Sequence, residues 1–168
     1  MKILMILLTL STSLYGQSKV EIAKKLQKQY NPTNKNYVVF IDYSKPISVE
    51  RLYVLDMNTS TVILSSKVSH GVNSGKEYAT EFSNQNKSLK SSLGVYVTQE
   101  TYYGYFGYSL RLNGLDSTNS NARKRCIIFH SNKKMSTKWS WGCFSTDEEV
   151  NKKLIDLIKN GCLIYVYK

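Results

Sequence analysis

The sequence has little proline, glycine, cysteine and histidine, with 2, 9, 3 and 2 residues respectively among 168. So few prolines and glycines exclude a collagen-like chain or a low-complexity linker. Three cysteines are too few for a small scaffold held by several disulfides, and two histidines leave little room for a metal site. Acidic residues are also scarce: 12 Asp and Glu against 23 Lys and Arg give a formal net charge of +11. Since 42% of the residues are hydrophobic, the chain can form the core of one globular domain.

The first residues have the pattern of a secretory signal peptide. Lys2 is followed by a short, largely apolar run over residues 3–10 and then by small and polar residues. The run is too short to span a bilayer, which takes about 20 residues. We therefore predict a signal peptide over residues 1–17, export to the periplasm or cell envelope, and no stable membrane anchor. The alternative is a buried N-terminal helix.

The basic residues are scattered along the chain rather than clustered. Residues 123–125 form the only basic triplet, and no segment interleaves basic and aromatic residues as a surface that binds nucleic-acid strands does. We therefore predict no nucleic-acid partner. An exported basic protein is suited to anionic envelope polymers or a membrane surface, although a general compositional bias towards Lys and Asn explains the charge equally well.

Most of the chain after residue 36 has the pattern of short strands separated by turns. Apolar, β-branched and aromatic residues predict strands over residues 37–43, 52–56, 61–68, 93–98, 108–112, 126–129 and 162–167. The long polar stretch over residues 71–92 is a candidate functional loop. Residues 18–36 form a helical lead-in, because apolar residues recur there at helical spacing until Asn31 and Pro32.

One further helix is predicted near the C-terminus. Thr146 and Glu149 have the spacing of a capping box, apolar residues follow on one helical face, and Gly161 marks the end. There is no alternation of strands and helices. We therefore predict a mostly β single domain, a sandwich or distorted barrel with one or two packed helices.

Two segments place reactive side chains directly after or before regular structure. His130 lies at the end of the predicted strand 127–131, and Cys143 lies just before the predicted helix. A thiol near a helix N-terminus is stabilised as the thiolate, and Gly142 permits close approach of a substrate to the backbone. Cys143 and His130 could form the activated pair of a cysteine acyl-transfer enzyme. The alternative is a buried thiol and an unrelated surface histidine.

Taken together, these segments resemble the L,D-transpeptidase (YkuD-like) catalytic domain, in the divergent branch known as the murein L,D-transpeptidase catalytic domain family. The resemblance covers residues 37–167, and the predicted catalytic domain is residues 37–168. It rests on residues 40–46, 51–56, 69–75, 79–84, 91–96, 107–115 and 121–123, and above all on Ile128-Phe129-His130 and Ser140-Trp141-Gly142-Cys143.

The resemblance implies a role for several residues of this chain. Cys143 resembles the nucleophile that forms a thioester with a peptidoglycan stem peptide, and His130 its base. The carbonyl of Ser131 would orient the imidazole, and the N–H groups around Gly142 and Cys143 would form the oxyanion hole. No cofactor and no metal are implied.

The sequence departs from the commoner family pattern near the nucleophile. Trp141 stands where a second histidine is usual, the arginine that usually follows the cysteine is absent, and the loop from histidine to cysteine is shorter. For substrate binding we therefore consider Ser140 and Trp141, together with His70 and, for a substrate carboxylate, Arg111, Arg123 or Arg125. His70 is equally interpretable as a hydrogen-bonded residue at the rim.

The resulting hypothesis is an exported L,D-transpeptidase that acts on stem peptides through a cysteine thioester. The alternatives are an L,D-carboxypeptidase or endopeptidase with the same mechanism, and a non-catalytic envelope-binding module. The other two cysteines, Cys126 and Cys162, are interpreted as buried apolar side chains or as a disulfide pair.

Overall fold

The structure is a computed structural model that describes residues 19–135 and 138–168. The predicted signal peptide, residues 1–17, lies outside the described residues. Within the described ranges, no helix has both the length and the apolar character needed to cross a membrane.

Most of the described chain is β-structure. Residues 19–30 are helical and are called α1, and a single 3-10 turn covers Val72–Ser74. The other elements are β1 (Tyr37–Asp42), β2 (Leu52–Asp56), β3 (Thr61–Ser66), β4 (Gly94–Gly104), β5 (Gly107–Gly114), β6 (Ile128–Ser131), β7 (Phe144–Thr146), α2 (Glu148–Ile158) and β8 (Leu163–Tyr167).

The strands form one sheet in the order β3-β2-β1-β8-β4-β5-β6-β7. The pairs β1–β8 and β6–β7 are parallel, and the other neighbouring pairs are antiparallel. The chain just beyond β3 also meets β7, because the Ser69 N–H donates to the Ser145 carbonyl at 3.0 Å. The sheet is therefore nearly closed into a barrel, which confirms the predicted mostly β fold with packed helices.

Apolar side chains on one face of the strands form the core under α2. Leu154, Ile155 and Ile158 of α2 are fully buried against Phe129 and Phe144 and their neighbours. α1 packs on a second, smaller cluster that includes Val38, Phe40 and Leu163. Truncating such a fully buried Leu or Phe typically costs about 2–5 kcal/mol of the free energy of unfolding.

The predicted capping box at the start of α2 is wrong. The N-cap residue is Asp147, whose side chain makes no capping bond. Thr146 is instead held in β7 opposite Ser131, and its hydroxyl is buried without a partner among the described residues. The strand pairing keeps Thr146 extended, so its side chain does not reach the first turn. Glu148 and Glu149 still place negative charge at the positive end of the helix.

Other boundaries differ only locally. β6 begins at Ile128 rather than at residue 126, because Cys126 has a φ of 56° and belongs to a turn. Cys126 is exposed, so its interpretation as a buried apolar side chain is wrong, whereas Cys162 is buried as predicted. All three cysteines are free in the structure. At the end of α2, Gly161 has a φ of 88°, which agrees with its predicted place after the helix.

We expect α1 to be fastened to the barrel through Tyr30. Its hydroxyl donates to Asp116 at 2.6 Å, and that hydrogen bond raises the pKa of Tyr30 from 10.0 to about 12. Tyr30→Phe should therefore lower the free energy of unfolding by about 1 kcal/mol at pH 8, measured by urea denaturation.

The pH dependence of the stability difference between wild type and Tyr30→Phe is the control for this prediction. Because the pKa of Tyr30 is higher in the folded protein, its contribution is complete below pH 10 and is lost as pH rises towards 12. The difference between wild type and Tyr30→Phe should shrink between pH 9 and pH 11. A constant difference over that range would contradict this assignment.

Candidate active site

The register between β6 and β7 brings His130 and Cys143 to the same face of the sheet. The two strands run parallel, with Phe129 opposite Phe144 and His130 opposite Ser145. The two phenylalanine rings lie in the core with their centroids 5.2 Å apart. Because side chains alternate along a strand, His130 and Ser145 face the other way, and so does Cys143 two residues before Ser145.

Both side chains line one cavity of about 310 Å³. One wall is the tip of the β4–β5 hairpin, and the other is the loop that leads from β6 to β7. The lining residues are Tyr105, Phe106, His130, Lys134, Met135, Trp139, Ser140, Trp141 and Cys143. Two aromatic rings at the mouth are strongly exposed, Tyr105 at 73% and Trp141 at 77%, so a ligand in the cavity would cover apolar surface.

His130 is held as a neutral base with one nitrogen available. Its Nδ1 lies 2.8 Å from the Ser131 carbonyl oxygen. A carbonyl only accepts, so Nδ1 carries the hydrogen and Nε2 carries the lone pair. The Phe106 ring stacks on the imidazole with a centroid distance of 4.1 Å. Burial lowers the pKa of His130 by disfavouring the charged ring, while the bond to Ser131 acts in the opposite direction.

The surroundings of Cys143 favour the protonated form of its thiol. Loss of hydration raises its pKa to about 11, and a backbone hydrogen bond from Ile128 and the positive charge of Arg125 oppose that shift. The thiol donates to the Cys126 carbonyl at 3.5 Å. Cys143 does not lie directly before the helix as predicted, because β7 lies between Cys143 and α2. Burial therefore favours the neutral form of both side chains.

The turn before Cys143 is closed by hydrogen bonds of its own. The Gly142 N–H donates to Ser140 Oγ at 3.1 Å, and that hydroxyl donates to the Cys143 carbonyl at 2.7 Å. Gly142 has a φ of 115°, and a Cβ there would lie 2.8 Å from the Lys90 carbonyl oxygen. Glycine is therefore required at this position. The group that approaches it closely is the Lys90 carbonyl of the protein itself, rather than a substrate as the sequence predicts. The N–H predicted for an oxyanion hole is occupied within the turn.

Two residues that the sequence analysis did not assign a catalytic role support this turn. Ser69 Oγ donates to the Cys143 carbonyl at 3.1 Å. The Arg125 guanidinium donates to the carbonyls of Ser83 and Lys90 and to the hydroxyl of Ser92, so it fastens the loop that packs on Gly142. In the sequence Arg125 is a candidate for binding a substrate carboxylate, whereas the structure shows it bonded to this loop. Ser69 lies in one of the segments that carry the family resemblance, but nothing in the sequence predicts its bond to Cys143.

Four residues considered for substrate binding, Arg125 among them, do not line the cavity. Arg111 and Arg123 both form ion pairs with Glu100, at 3.2 Å and 2.6 Å. His70 is fully buried, with Nδ1 2.9 Å from Arg51 Nη2 and Nε2 3.0 Å from the Gly75 carbonyl oxygen. Ser140 and Trp141 do line it. Among the residues that the structure describes, no three His, Cys, Asp or Glu side chains come together as metal ligands.

Comparison with known proteins gives one family and several similar folds. The family model described as "L,D-transpeptidase catalytic domain" matches residues 9–167. No curated protein sequence matches the chain.

Solved structures with a similar fold include Bd1075 of Bdellovibrio bacteriovorus, with 21% identity, a TM-score of 0.52, and coverage of 79% of this chain and 48% of that one. They also include Pgp2 of Campylobacter jejuni, described as a helical cell shape determining protein, with 10% identity, a TM-score of 0.57, and coverage of 79% of this chain and 47% of that one. A third is L,D-transpeptidase 1 of Mycobacterium tuberculosis, with 12% identity, a TM-score of 0.50, and coverage of 79% of this chain and 62% of that one. The chain thus spans about half to three fifths of the length of these structures, and at such identities the likeness concerns the fold.

The raised pKa of Cys143 predicts a slow thiol in the resting protein. At pH 8 iodoacetamide should alkylate Cys143 more slowly than the exposed Cys126, and the rate at Cys143 should rise about tenfold per pH unit up to pH 10. Peptide mass spectrometry follows both thiols in one sample. A rate at Cys143 that reaches its plateau below pH 8 would show a preformed thiolate instead.

The stacked ring of Phe106 predicts the direction in which the pKa of His130 moves. Phe106→Ala opens the imidazole to water, so the pKa of His130 should rise towards its ordinary value, as measured by NMR titration. Tyr103→Ala serves as the control, because Tyr103 is 83% exposed on the same hairpin and does not line the cavity. An unchanged or lower pKa in Phe106→Ala would contradict the role of the ring.

Proposed function

Because the chain belongs to the L,D-transpeptidase catalytic domain family, we propose that it transfers acyl groups of peptidoglycan stem peptides by way of a thioester on Cys143. The observation that carries the proposal is the cavity that Cys143 and His130 both line, with His130 Nδ1 bonded to the Ser131 carbonyl. A thiol, an oriented imidazole and nearby backbone donors are sufficient for acyl transfer.

The first half of the reaction forms the acyl-enzyme. The sulfur of Cys143 attacks the carbonyl carbon of a stem-peptide bond while His130 Nε2 takes the thiol proton. The peptide C–N bond then breaks, and the imidazolium returns the proton to the departing amine. The Nδ1–H bond to the Ser131 carbonyl is kept throughout, so it stabilises the imidazolium when the charge appears.

The second half regenerates the thiol. An amine of an acceptor stem attacks the thioester, His130 accepts its proton, and the sulfur leaves and regains that proton. If water is the acceptor, the same steps release a shortened stem, as in a carboxypeptidase or endopeptidase. The acceptor that reaches the thioester first therefore decides between transfer and hydrolysis.

The high pKa of the thiol is compatible with this route. Proton transfer to His130 takes place during the attack, so the enzyme needs no stable thiolate before substrate binds. For the oxyanion we propose the Cys143 N–H as a donor, with the Gly142 N–H joining it once Ser140 Oγ releases it.

The cavity lining suggests how the stem is held. Trp141 and Tyr105 offer exposed aromatic surface at the mouth, and Lys134 offers a positive charge suited to a stem carboxylate. Because Arg111 and Arg123 form ion pairs with Glu100, we propose Lys134 rather than either arginine as the partner of the stem carboxylate. Peptidoglycan as substrate implies an exported protein at the cell envelope, which agrees with the predicted signal peptide, and anionic envelope polymers remain a further proposed partner for its basic surface.

The proposal is tested with a purified disaccharide-tetrapeptide and intact-protein mass spectrometry. Wild type should show an acyl adduct on Cys143 and release the terminal residue of the stem. Cys143→Ala and His130→Ala should lower turnover by at least about a thousandfold, because each removes a reacting group. Cross-linked products would indicate a transpeptidase, and tripeptide alone a carboxypeptidase.

Cys126→Ser is the matched control, because it removes an exposed thiol from the turn that contacts Cys143. It should keep wild-type turnover. Full activity in Cys143→Ala would exclude the thioester mechanism. Binding of the muropeptide without adduct or product in wild type would favour the envelope-binding module.

A further inference from the structure

Arg51 is a fully buried arginine whose donors are directed at backbone and at one imidazole. Its Nε and Nη2 donate to the Val68 carbonyl at 3.0 and 2.7 Å, and its Nη1 donates to the Lys45 carbonyl at 3.2 Å. Nη2 also donates to His70 Nδ1 at 2.9 Å, and the guanidinium lies 4.8 Å from the centre of the Tyr43 ring. Burying a charge is costly unless its hydrogen bonds are satisfied, and here they are used to hold one segment of chain.

The hydrogen bonds of His70 define its tautomer. Arginine carries only donors, so Nδ1 must accept and Nε2 must carry the hydrogen that is donated to the Gly75 carbonyl at 3.0 Å. A proton on Nδ1 would place two cations 2.9 Å apart. Burial and the charge of Arg51 also lower the pKa of His70. The ring is thus a neutral structural link between Arg51 and the turn that contains Gly75.

Arg51 and His70 hold residues 68–72 through the bonds just described. The same segment also forms hydrogen bonds to the backbone next to Cys143. The His70 carbonyl accepts from the Ser140 N–H at 2.9 Å, and the Val72 N–H donates to the Ser140 carbonyl at 2.8 Å. Both bonds hold the backbone three residues before Cys143.

Ser69 completes the attachment after the nucleophile. Its N–H donates to the Ser145 carbonyl at 3.0 Å, and its Oγ accepts from the Ser145 N–H at 2.9 Å. The same hydroxyl donates to the Cys143 carbonyl at 3.1 Å. The backbone of Cys143 is therefore held before, at and after the reacting residue by one segment.

We propose that Arg51 and His70 are positioning residues for Cys143, acting through residues 68–72 to hold its sulfur at attacking distance from the substrate carbonyl. This inference rests on the proposed function, because it takes Cys143 as the nucleophile. It replaces the predicted substrate contact of His70 with an indirect role. A misplacement of about 1 Å at a reacting atom can reduce the rate about a hundredfold. Loss of the bonds that hold this backbone should therefore lower kcat.

The test compares two substitutions that each keep one of the bonds of His70. His70→Asn places an amide oxygen near the position of Nδ1 and keeps the acceptor for Arg51. His70→Gln places an amide N–H near the position of Nε2 and keeps the donor to Gly75 but not the acceptor. With the disaccharide-tetrapeptide as substrate, His70→Gln should lower kcat at least tenfold with KM within twofold of wild type. His70→Asn should stay within threefold of the wild-type kcat.

Ser69→Ala tests the link itself and is a small change at a buried site. It should also lower kcat about tenfold at constant KM. In the double variant with His70→Gln, the loss should be clearly smaller than the product of the two single losses, because both act through the same segment. A loss equal to that product would overturn the proposal, as would a wild-type kcat in Ser69→Ala.

Thr98→Val is the control for a loss of kcat that results only from a less stable fold. Thr98 is fully buried in β4, and its Oγ1 bonds to the Ile158 carbonyl and to the N–H groups of Gly161 and Cys162. This substitution should lower Tm while kcat stays at the wild-type value at a temperature where all variants are folded.

The outcomes separate the two proposals. A wild-type kcat in His70→Gln, with Cys143→Ala inactive, overturns the positioning role and leaves the proposed function intact. A raised KM with an unchanged kcat in His70→Gln would show a substrate contact and also overturn it. Turnover in Cys143→Ala would instead contradict the proposed function.

Discussion

The parallel pairing of β6 with β7 is the constraint on which the candidate active site depends. It places Phe129 and Phe144 together in the core and, one residue along each strand, His130 opposite Ser145. The same side-chain alternation that buries the two rings therefore presents the imidazole and the thiol to one cavity. The core and the site share a single register, since a slip of one residue would move every side chain of β7 to the other face.

The near closure of the sheet adds a second support to this register. Two strands alone would leave β7 at an open edge, but the chain beyond β3 bonds to it through Ser69. That chain is in turn held from the interior by Arg51 and His70. The two histidines have opposite tautomers as a result: His130 presents a lone pair to the cavity, and His70 keeps its lone pair for a buried guanidinium.

The sequence predicted much of this architecture and only part of the site. Strands such as β2 and β8 are predictable because apolar and β-branched residues continue over four positions or more. The three residues of β7 are too few to show a period, so the sequence does not predict this strand, and the helix cap is therefore wrongly placed at Thr146. Arg111 and Arg123 could not be placed because their partner, Glu100, is distant in sequence.

Two parallel neighbours cannot be joined by a tight turn, so the chain must leave the end of β6 and return to the start of β7 by a crossover. The wall of the cavity on this side is lined by residues of the crossover: Lys134, Met135, Trp139, Ser140 and Trp141. The strand pairing fixes His130 and Cys143, which lie on either side of the crossover. Insertions and exchanges in this crossover can therefore reshape the cavity wall while the register of β6 and β7, which places His130 and Cys143, stays the same.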